Sequence, residues 1–201
     1  MRITLIDAGK RFNRDWIFRH LSYEFIQGHS YAITGPNGSG KSTLLQAIGG
    51  AIGMSEGGAR YENISPEQVY RYISLAAPYL ELVEEMTVLE FLRFHGKFKP
   101  LIPSCSVETI IDRVGLGSAA HKQIRYYSSG MKQRVKLAQA IFSDTPVLLL
   151  DEPCTNLDSE GIALYRQLIA EYAANRLVIV SSNDLQEYDF CEQTMNILDW
   201  K

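Results

Sequence analysis

The chain has 201 residues, enough for one domain with its own core, and its hydrophobic (46%) and charged (21%) fractions are ordinary for a globular protein. A net charge of −3 gives no support for non-specific nucleic-acid binding, so no nucleic-acid partner is expected. The three cysteines, Cys105, Cys154 and Cys191, are far apart without a CxxC pair. This spacing argues against a disulfide framework or a zinc site.

The sequence also predicts a cytoplasmic location. The first residues, "MRITLIDAGKRF", place charges where the apolar region of a signal peptide would lie. No apolar run approaches the roughly 20 residues that span a bilayer. Any association with a membrane is therefore expected to pass through a partner.

The N-terminal third is predicted to form strands, followed by one helix. Alternating or short apolar runs indicate strands in "RITLI", "HLSYEFI" and "SYAITG". A helix is predicted from about residue 41 to 51, and a further strand at "RYISLAA". Between them, "GMSEGGARY" contains three glycines and is predicted to be a loop.

From about residue 78 to 127 the pattern becomes helical. Thr87 and Glu90 form a capping-box signature ahead of "VLEFLRFHGKF", and "SVETIIDRVGLG" is amphipathic with glycines at its end. Helices then alternate with the apolar strands "PVLLL" and "RLVIVSS", which indicates a parallel sheet buried on both faces. We expect a single α/β domain over 1–201, with a small helical subdomain inserted at 78–127.

A phosphate-binding loop is predicted between the third strand and the first helix. The stretch "GPNGSGKST" satisfies the G-x-x-x-x-G-K-[ST] pattern of nucleoside triphosphate-binding proteins. Its glycines permit the backbone to turn N–H groups towards phosphates, its lysine reaches the outer phosphates and its serine can bind Mg²⁺. The residues predicted to bind nucleotide here are Gly35, Pro36, Asn37, Gly38, Ser39, Gly40, Lys41, Ser42 and Thr43.

Two carboxylates follow a buried strand in "VLLLDEP". Asp151 lies at the carboxyl end of that strand, where ligands bind in open α/β sheets, and is expected to hold Mg²⁺ together with Ser42. Glu152 is one residue further and is expected to polarise an attacking water. The pair predicts a site that hydrolyses a nucleoside triphosphate, with Glu152 and Lys41 as catalytic residues.

Together, "GPNGSGKST", "YSSGMKQR", "LLLDEP" and "TNLD" resemble the ATP-binding subunits of ATP-binding cassette (ABC) transporters. The resemblance implies a P-loop NTPase fold with a mainly parallel sheet, an N-terminal antiparallel β region and a helical subdomain. It implies that two cassettes dimerise head to tail, so that the signature of one covers the γ-phosphate held by the other. That signature corresponds to Ser128, Ser129, Gly130 and Met131, with Ser129 and Met131 departing from the family's usual residues.

Further roles are implied by the same resemblance. An aromatic residue stacks on adenine; Phe12 holds that position, and Trp16 is an alternative. Asp158 belongs to the loop that communicates across the dimer. The family commonly has a glutamine where this chain has Ala77, or Ala76 in the alternative alignment. It commonly has a catalytic histidine where this chain has Asn183, which is expected to replace that histidine in part as a catalytic residue.

The implied function is ATP binding and hydrolysis that drives separate membrane subunits, with ATP and Mg²⁺ as cofactors. The partners would be a second cassette, identical or different, and a membrane transporter subunit, with the protein peripheral at the inner face of the cell membrane. Tyr79, Leu80, Leu82 and Val83 are expected to line the groove for that subunit, although ordinary packing explains them equally well. Two alternatives remain: a nucleotide-gated module with very low turnover, and an ABC ATPase unconnected with transport.

Overall fold

A computed structural model describes all residues 1–201 and divides them into two compact units. The first unit comprises Met1–Leu75, Thr145–Glu152 and Ala174–Lys201. The second comprises Ala76–Asp144 and Pro153–Ala173. The predicted insert at 78–127 lies within the second unit, and its behaviour as a separate subdomain stays a prediction.

The first unit contains two sheets. The antiparallel sheet has the order β2-β1-β4, formed by β1 (Arg2–Phe12), β2 (Asp15–Ile26) and β4 (Glu56–Tyr61). The second sheet has the order β5-β6-β7-β3-β8. Its strands are β3 (Ser30–Thr34), β5 (Ile73–Ala76), β6 (Val147–Asp151), β7 (Leu177–Ser181) and β8 (Gln193–Asn196). The pairs β6–β7, β7–β3 and β3–β8 are parallel, which confirms the predicted fold class.

One face of the parallel sheet packs against the first helix, α1 (Lys41–Ile48). Alternate residues of the central strands, including Leu149 and Ile179, share a fully buried cluster with Leu44 and Ile48 of α1. The opposite alternation of β6, at Leu148 and Leu150, is buried as well. Burial on both faces explains why these strands are continuous apolar runs. A short helix, α6 (Leu185–Tyr188), follows β7.

The second unit is helical and consists of α2 (Val88–Phe98), α3 (Val107–Arg113), α4 (Ser129–Ile141) and α5 (Ser159–Tyr172). The capping box at α2 is confirmed, because Thr87 Oγ1 accepts from the backbone N–H of Glu90 while the Glu90 carboxylate accepts from the backbone N–H of Thr87. No helix in the structure is both long and apolar enough to cross a bilayer.

Two local predictions are wrong. The glycine-rich stretch predicted as a loop contains β4, which pairs with β1. Gly57 lies at a φ of +62°, and a β-carbon there would lie 2.1 Å from the carbonyl oxygen of Asp7. The glycine therefore permits a close approach between strands that a larger residue would block. The first helix ends at Ile48 rather than near residue 51, because Gly49 and Gly50 terminate it, the latter at a φ of +72°.

Candidate functional site

The phosphate loop connects the end of β3 to the start of α1, as its sequence predicts. Its last residue before the helix, Gly40, has a φ of +104°, which L-residues rarely adopt. A β-carbon at Gly40 would lie 2.2 Å from Cγ2 of Ile17 on β2. The loop therefore requires glycine here both for its turn and for the contact with the antiparallel sheet.

Helix α1 begins without a side-chain cap, because no side chain accepts a hydrogen bond from its first turn. By contrast, α2, α3, α4 and α5 are capped by Thr87, Ser106, Ser128 and Asp158. The first-turn N–H groups of a helix lack acceptors within the helix and attract anions. The N-terminus of α1 is thus open to a phosphate group supplied by a ligand.

Lys41, the first residue of α1, is 5% exposed and folds back over the loop. Its Nζ donates to the carbonyl oxygens of Gly35 at 2.8 Å and Pro36 at 3.3 Å. These neutral acceptors hold the ammonium at the mouth of the loop. A phosphate oxygen offers it a stronger, charge-assisted hydrogen bond.

The acidic pair lies at the carboxyl end of β6. Asp151 is 1% exposed, and its Oδ1 has no hydrogen-bond partner. An ionised oxygen buried without a donor is costly unless a cation or water completes its shell, so this carboxylate fits a Mg²⁺ site. Ser42, half-buried in the first turn of α1, is the hydroxyl that would complete the predicted metal pair.

Glu152 is partly exposed and adopts a φ of +43°, an uncommon conformation for a residue with a side chain. Its backbone N–H donates to the carbonyl oxygen of Ser181 on β7 at 2.9 Å. Such conformations cost about 1–3 kcal/mol and occur frequently at functional sites. The uncommon backbone conformation and the hydrogen bond to β7 together fix the position of the Glu152 main chain from which its carboxylate projects.

Asn183 contacts the phosphate loop directly. Its Oδ1 accepts from the backbone N–H of Gly35 at 3.2 Å, and its Nδ2 donates to Oδ1 of Asn37 at 3.1 Å. The structure therefore brings this predicted site residue to the loop. The contact itself is a feature that the sequence did not indicate, since the two segments are 148 residues apart.

The hairpin formed by β1 and β2 carries both aromatic candidates for base stacking. Phe12 is 50% exposed, with Nζ of Lys10 5.0 Å from its ring centroid. Trp16 is partly buried, with the guanidinium groups of Arg11 and Arg19 at 5.5 Å and 4.5 Å from its ring. Phe12 is the more exposed of the two and has one cation over its ring rather than two, so it has the more available face.

The signature stretch in the second unit opens α4. Ser128 is its N-cap and accepts from the backbone N–H of Met131 at 3.3 Å, while Ser129 is exposed. A β-carbon on Gly130 would lie 2.9 Å from the carbonyl oxygen of Asn156. The small residue at 130 is therefore required by a contact within this chain, whatever else approaches.

A cavity of about 320 Å³ lies between this helix start and the "TNLD" loop. Asp158 caps α5 by accepting from the backbone N–H of Gly161 at 2.8 Å, and it lies 3.7 Å from the guanidinium of Arg134. Both contacts are local to the second unit. Any role of Asp158 in communication between subunits stays a prediction.

A second cavity in this unit, of about 550 Å³, is lined by residues of the segment before α2 and by α4. Nζ of Lys132 pairs with the carboxylate of Glu84 at 2.5 Å, and Nζ of Lys136 donates to the carbonyl oxygen of Pro78 at 2.6 Å. Burial, and the charge of Lys132, lower the pKa of Lys136. Tyr79, Leu80 and Leu82 line the cavity; Val83 is 40% exposed and is not among its lining residues.

At the position of the family's glutamine, Ala76 and Ala77 are both fully buried. Neither methyl group can bind a metal or hold a water. Ser181 was not predicted as a site residue, although it lies at the register position of Asp151 and its buried Oγ has no hydrogen-bond partner. The available signal was a polar residue at the end of the buried strand "RLVIVSS".

The comparisons with known proteins agree on one family. A family model described as ABC transporter matches residues 18–155. The chain is 34% identical over 189 residues to the cytochrome c biogenesis ATP-binding export protein CcmA of Mesorhizobium japonicum, covering 92% of each chain. It is 31% identical over 192 residues to YybJ of Bacillus subtilis, an uncharacterized ABC transporter ATP-binding protein, covering 92% of this chain and 87% of that one.

Among solved structures, the bacterial ABC transporter cassette MJ0796, solved as a dimer, superimposes with a TM-score of 0.83. The alignment covers 97% of this chain and 94% of the cassette at 22% identity. At that level of identity the likeness concerns the fold alone.

The phosphate loop gives the first testable prediction. Lys41→Ala removes the side-chain ammonium and should weaken ATP affinity about 10- to 150-fold, the equivalent of a charge-assisted hydrogen bond of about 1.5–3 kcal/mol. Calorimetric titration with ATP and Mg²⁺ measures this. The exposed Lys97→Ala is the matched control and should bind as the wild type does. Equal affinity of Lys41→Ala and the control would contradict the assignment.

Proposed function

The chain belongs to the ABC transporter family as one of its ATP-binding subunits, and we propose that it hydrolyses ATP in a head-to-tail dimer that drives separate membrane subunits. The observation that carries the proposal is the pairing of an uncapped helix start with Asp151, whose buried Oδ1 has no hydrogen-bond partner, at one edge of the sheet. The first feature suits the phosphates of ATP and the second suits the cation that accompanies them.

In the proposed site each residue has a distinct task. Lys41 exchanges its bonds to the loop carbonyls for bonds to the outer phosphates, and the first-turn N–H groups of α1 bind phosphate oxygens. Ser42 and Asp151 would hold Mg²⁺, which neutralises phosphate charge. Glu152 orients the attacking water and accepts its proton, and Phe12 stacks on the base.

The signature is proposed to act on nucleotide held by a second cassette. The N-cap hydroxyl of Ser128 satisfies the N–H of Met131, which leaves the first-turn N–H groups of Ser129 and Gly130 without an acceptor in the helix. These groups, on an exposed helix start, suit a γ-phosphate supplied by a partner. The solved dimer of MJ0796 supports this arrangement by its shared fold.

A membrane subunit is proposed to dock at the cavity lined by Tyr79 and Leu80. The cavity combines these side chains with charged groups at its rim, including Glu84 and Lys132, as expected of a surface that receives a helix from a partner. Through that contact the protein would lie at the cytoplasmic face of the cell membrane.

A variant pair tests dimerisation. Glu152→Gln should abolish turnover and allow ATP to hold the dimer, because the amide cannot accept the proton of the attacking water. Adding Ser129→Glu places a negative charge against the partner's γ-phosphate and should leave a monomer that still binds ATP. Size-exclusion chromatography with ATP measures the oligomeric state of the single and double variants, and an ATPase assay measures turnover. Glu160→Gln, at an exposed position, is the control and should retain turnover. A double variant that still dimerises would refute the role in trans.

Asn183 provides a test of catalysis. Its amide reaches the phosphate loop but is shorter than imidazole, so we expect turnover below the roughly 10 s⁻¹ typical of enzymes. Asn183→His should raise kcat and Asn183→Ala should lower it, by less than the roughly 10²- to 10³-fold cost of a full preorganised donor. Steady-state ATPase assays measure the order His, Asn, Ala. If the alanine variant turns over as fast as the wild type, Asn183 has no catalytic role.

The same assay addresses the alternative of a nucleotide-gated module with very low turnover. The buried methyl group of Ala77 favours it, since no side chain at that position can hold a metal or water. Wild-type protein that binds ATP but has no measurable hydrolysis, even as Asn183→His, would establish this alternative.

Docking is tested by co-expressing the cassette with a candidate membrane subunit, sought among the neighbouring genes. Leu80→Ser should move the cassette from the membrane fraction to the supernatant, since it removes an apolar contact at the groove. Phe98→Ser is the control, because Phe98 is 73% exposed and is not part of the groove. Equal membrane retention of both variants would contradict docking at this cavity.

A further inference from the structure

Ser181, the last residue of β7, holds a buried hydroxyl that no group in the structure satisfies. The residue is 0% exposed, and its Oγ has no hydrogen-bond partner. A hydroxyl buried in this way is unfavourable unless something bonds to it. The neighbouring Ser182 does not share this property, because its Oγ accepts from the backbone N–H of Asp184 at 2.9 Å.

The position of Ser181 indicates which group could bond to its hydroxyl. It is in register with Asp151 on the adjacent parallel strand, so the two side chains project from the same face of the sheet. That face carries Leu149 and Ile179 into the cluster with α1. The face therefore presents two buried oxygens without partners, Oδ1 of Asp151 and Oγ of Ser181, towards the helix that carries Ser42.

The main chain of Ser181 is already part of the site. Its carbonyl oxygen accepts the N–H of Glu152 at 2.9 Å. One residue thus bonds to the backbone of Glu152 and places its hydroxyl in register with Asp151. The two unpartnered oxygens do not bond to each other, which leaves a polar position for a molecule that donates to both.

We propose that Ser181 is a positioning residue for Mg²⁺, holding together with Asp151 a water from the hydration shell of the ion; this rests on the proposed function. Mg²⁺ dehydrates reluctantly and is commonly held by one or two carboxylates with several of its waters retained. Such a water donates both of its hydrogens, and the two buried oxygens are suitable acceptors. Ser181 thereby supplies a second acceptor to the hydration shell of the ion.

The experiment compares ADP affinity in Mg²⁺ with ADP affinity in EDTA, by calorimetry, so that no turnover is involved. The dissociation constant in EDTA divided by that in Mg²⁺ gives a ratio that measures the coupling between Mg²⁺ and nucleotide. Ser181→Ala should reduce that ratio about three- to tenfold, the equivalent of one net hydrogen bond, while leaving the affinity in EDTA unchanged. Ser181→Thr keeps the hydroxyl and should preserve the ratio.

Thermal melting without ligand provides the second readout. Ser181→Ala removes an unsatisfied polar group and should leave the melting temperature of the ligand-free protein unchanged or higher. Ser182→Ala removes a bonded hydroxyl and should lower that temperature without altering the Mg²⁺ ratio. These opposite patterns distinguish a metal-positioning hydroxyl from a structural one.

Three results would overturn the proposal. An unchanged ratio in Ser181→Ala removes the link to Mg²⁺. An equal loss of ADP affinity in EDTA assigns the hydroxyl to the nucleotide instead. A lowered melting temperature together with an unchanged ratio assigns it to a resident structural water. Failure of the wild type to bind ADP at all would overturn the proposed function itself and is recognised separately.

Discussion

The packing of α1 on the parallel sheet is the constraint on which the site depends. Leu44, Leu45 and Ile48 are fully buried against the face that carries Leu149 and Ile179. Because these apolar contacts fix the helix, its uncapped first turn is held at the edge where β6 and β7 end. The contacts of Lys41, the buried oxygen of Asp151 and the hydroxyl of Ser181 are all consequences of that placement. Polar chemistry here is positioned by an apolar interface.

Features that depend on local sequence were predictable. The phosphate loop, the capping box at Thr87 and the buried strands each follow from residues adjacent in the chain, and the structure contains them. Features created by approach between distant segments were not. The glycine-rich sequence of β4 is typical of a loop, and it forms a strand by pairing with β1. The contact between Gly130 and the carbonyl oxygen of Asn156 likewise cannot be read from the residues around Gly130.

Asn183 illustrates how a departure from the family pattern preserves part of its chemistry. A neutral imidazole offers one acceptor and one donor, and a carboxamide offers both as well. Asn183 uses its acceptor on Gly35 and its donor on Asn37. The pattern of polarity is therefore retained although the reach is shorter. At Ala77 nothing polar is retained, so the two departures are unequal in their physical effect.

The approach of Asn156 to Gly130 divides the signature into two kinds of position. Residue 130 is fixed by the chain's own backbone, since any side chain there would collide with a carbonyl. By contrast, Ser129 is exposed at the start of α4 and Met131 is partly exposed. A partner surface can therefore meet side chains at residues 129 and 131, whereas at residue 130 only the backbone N–H is available to it.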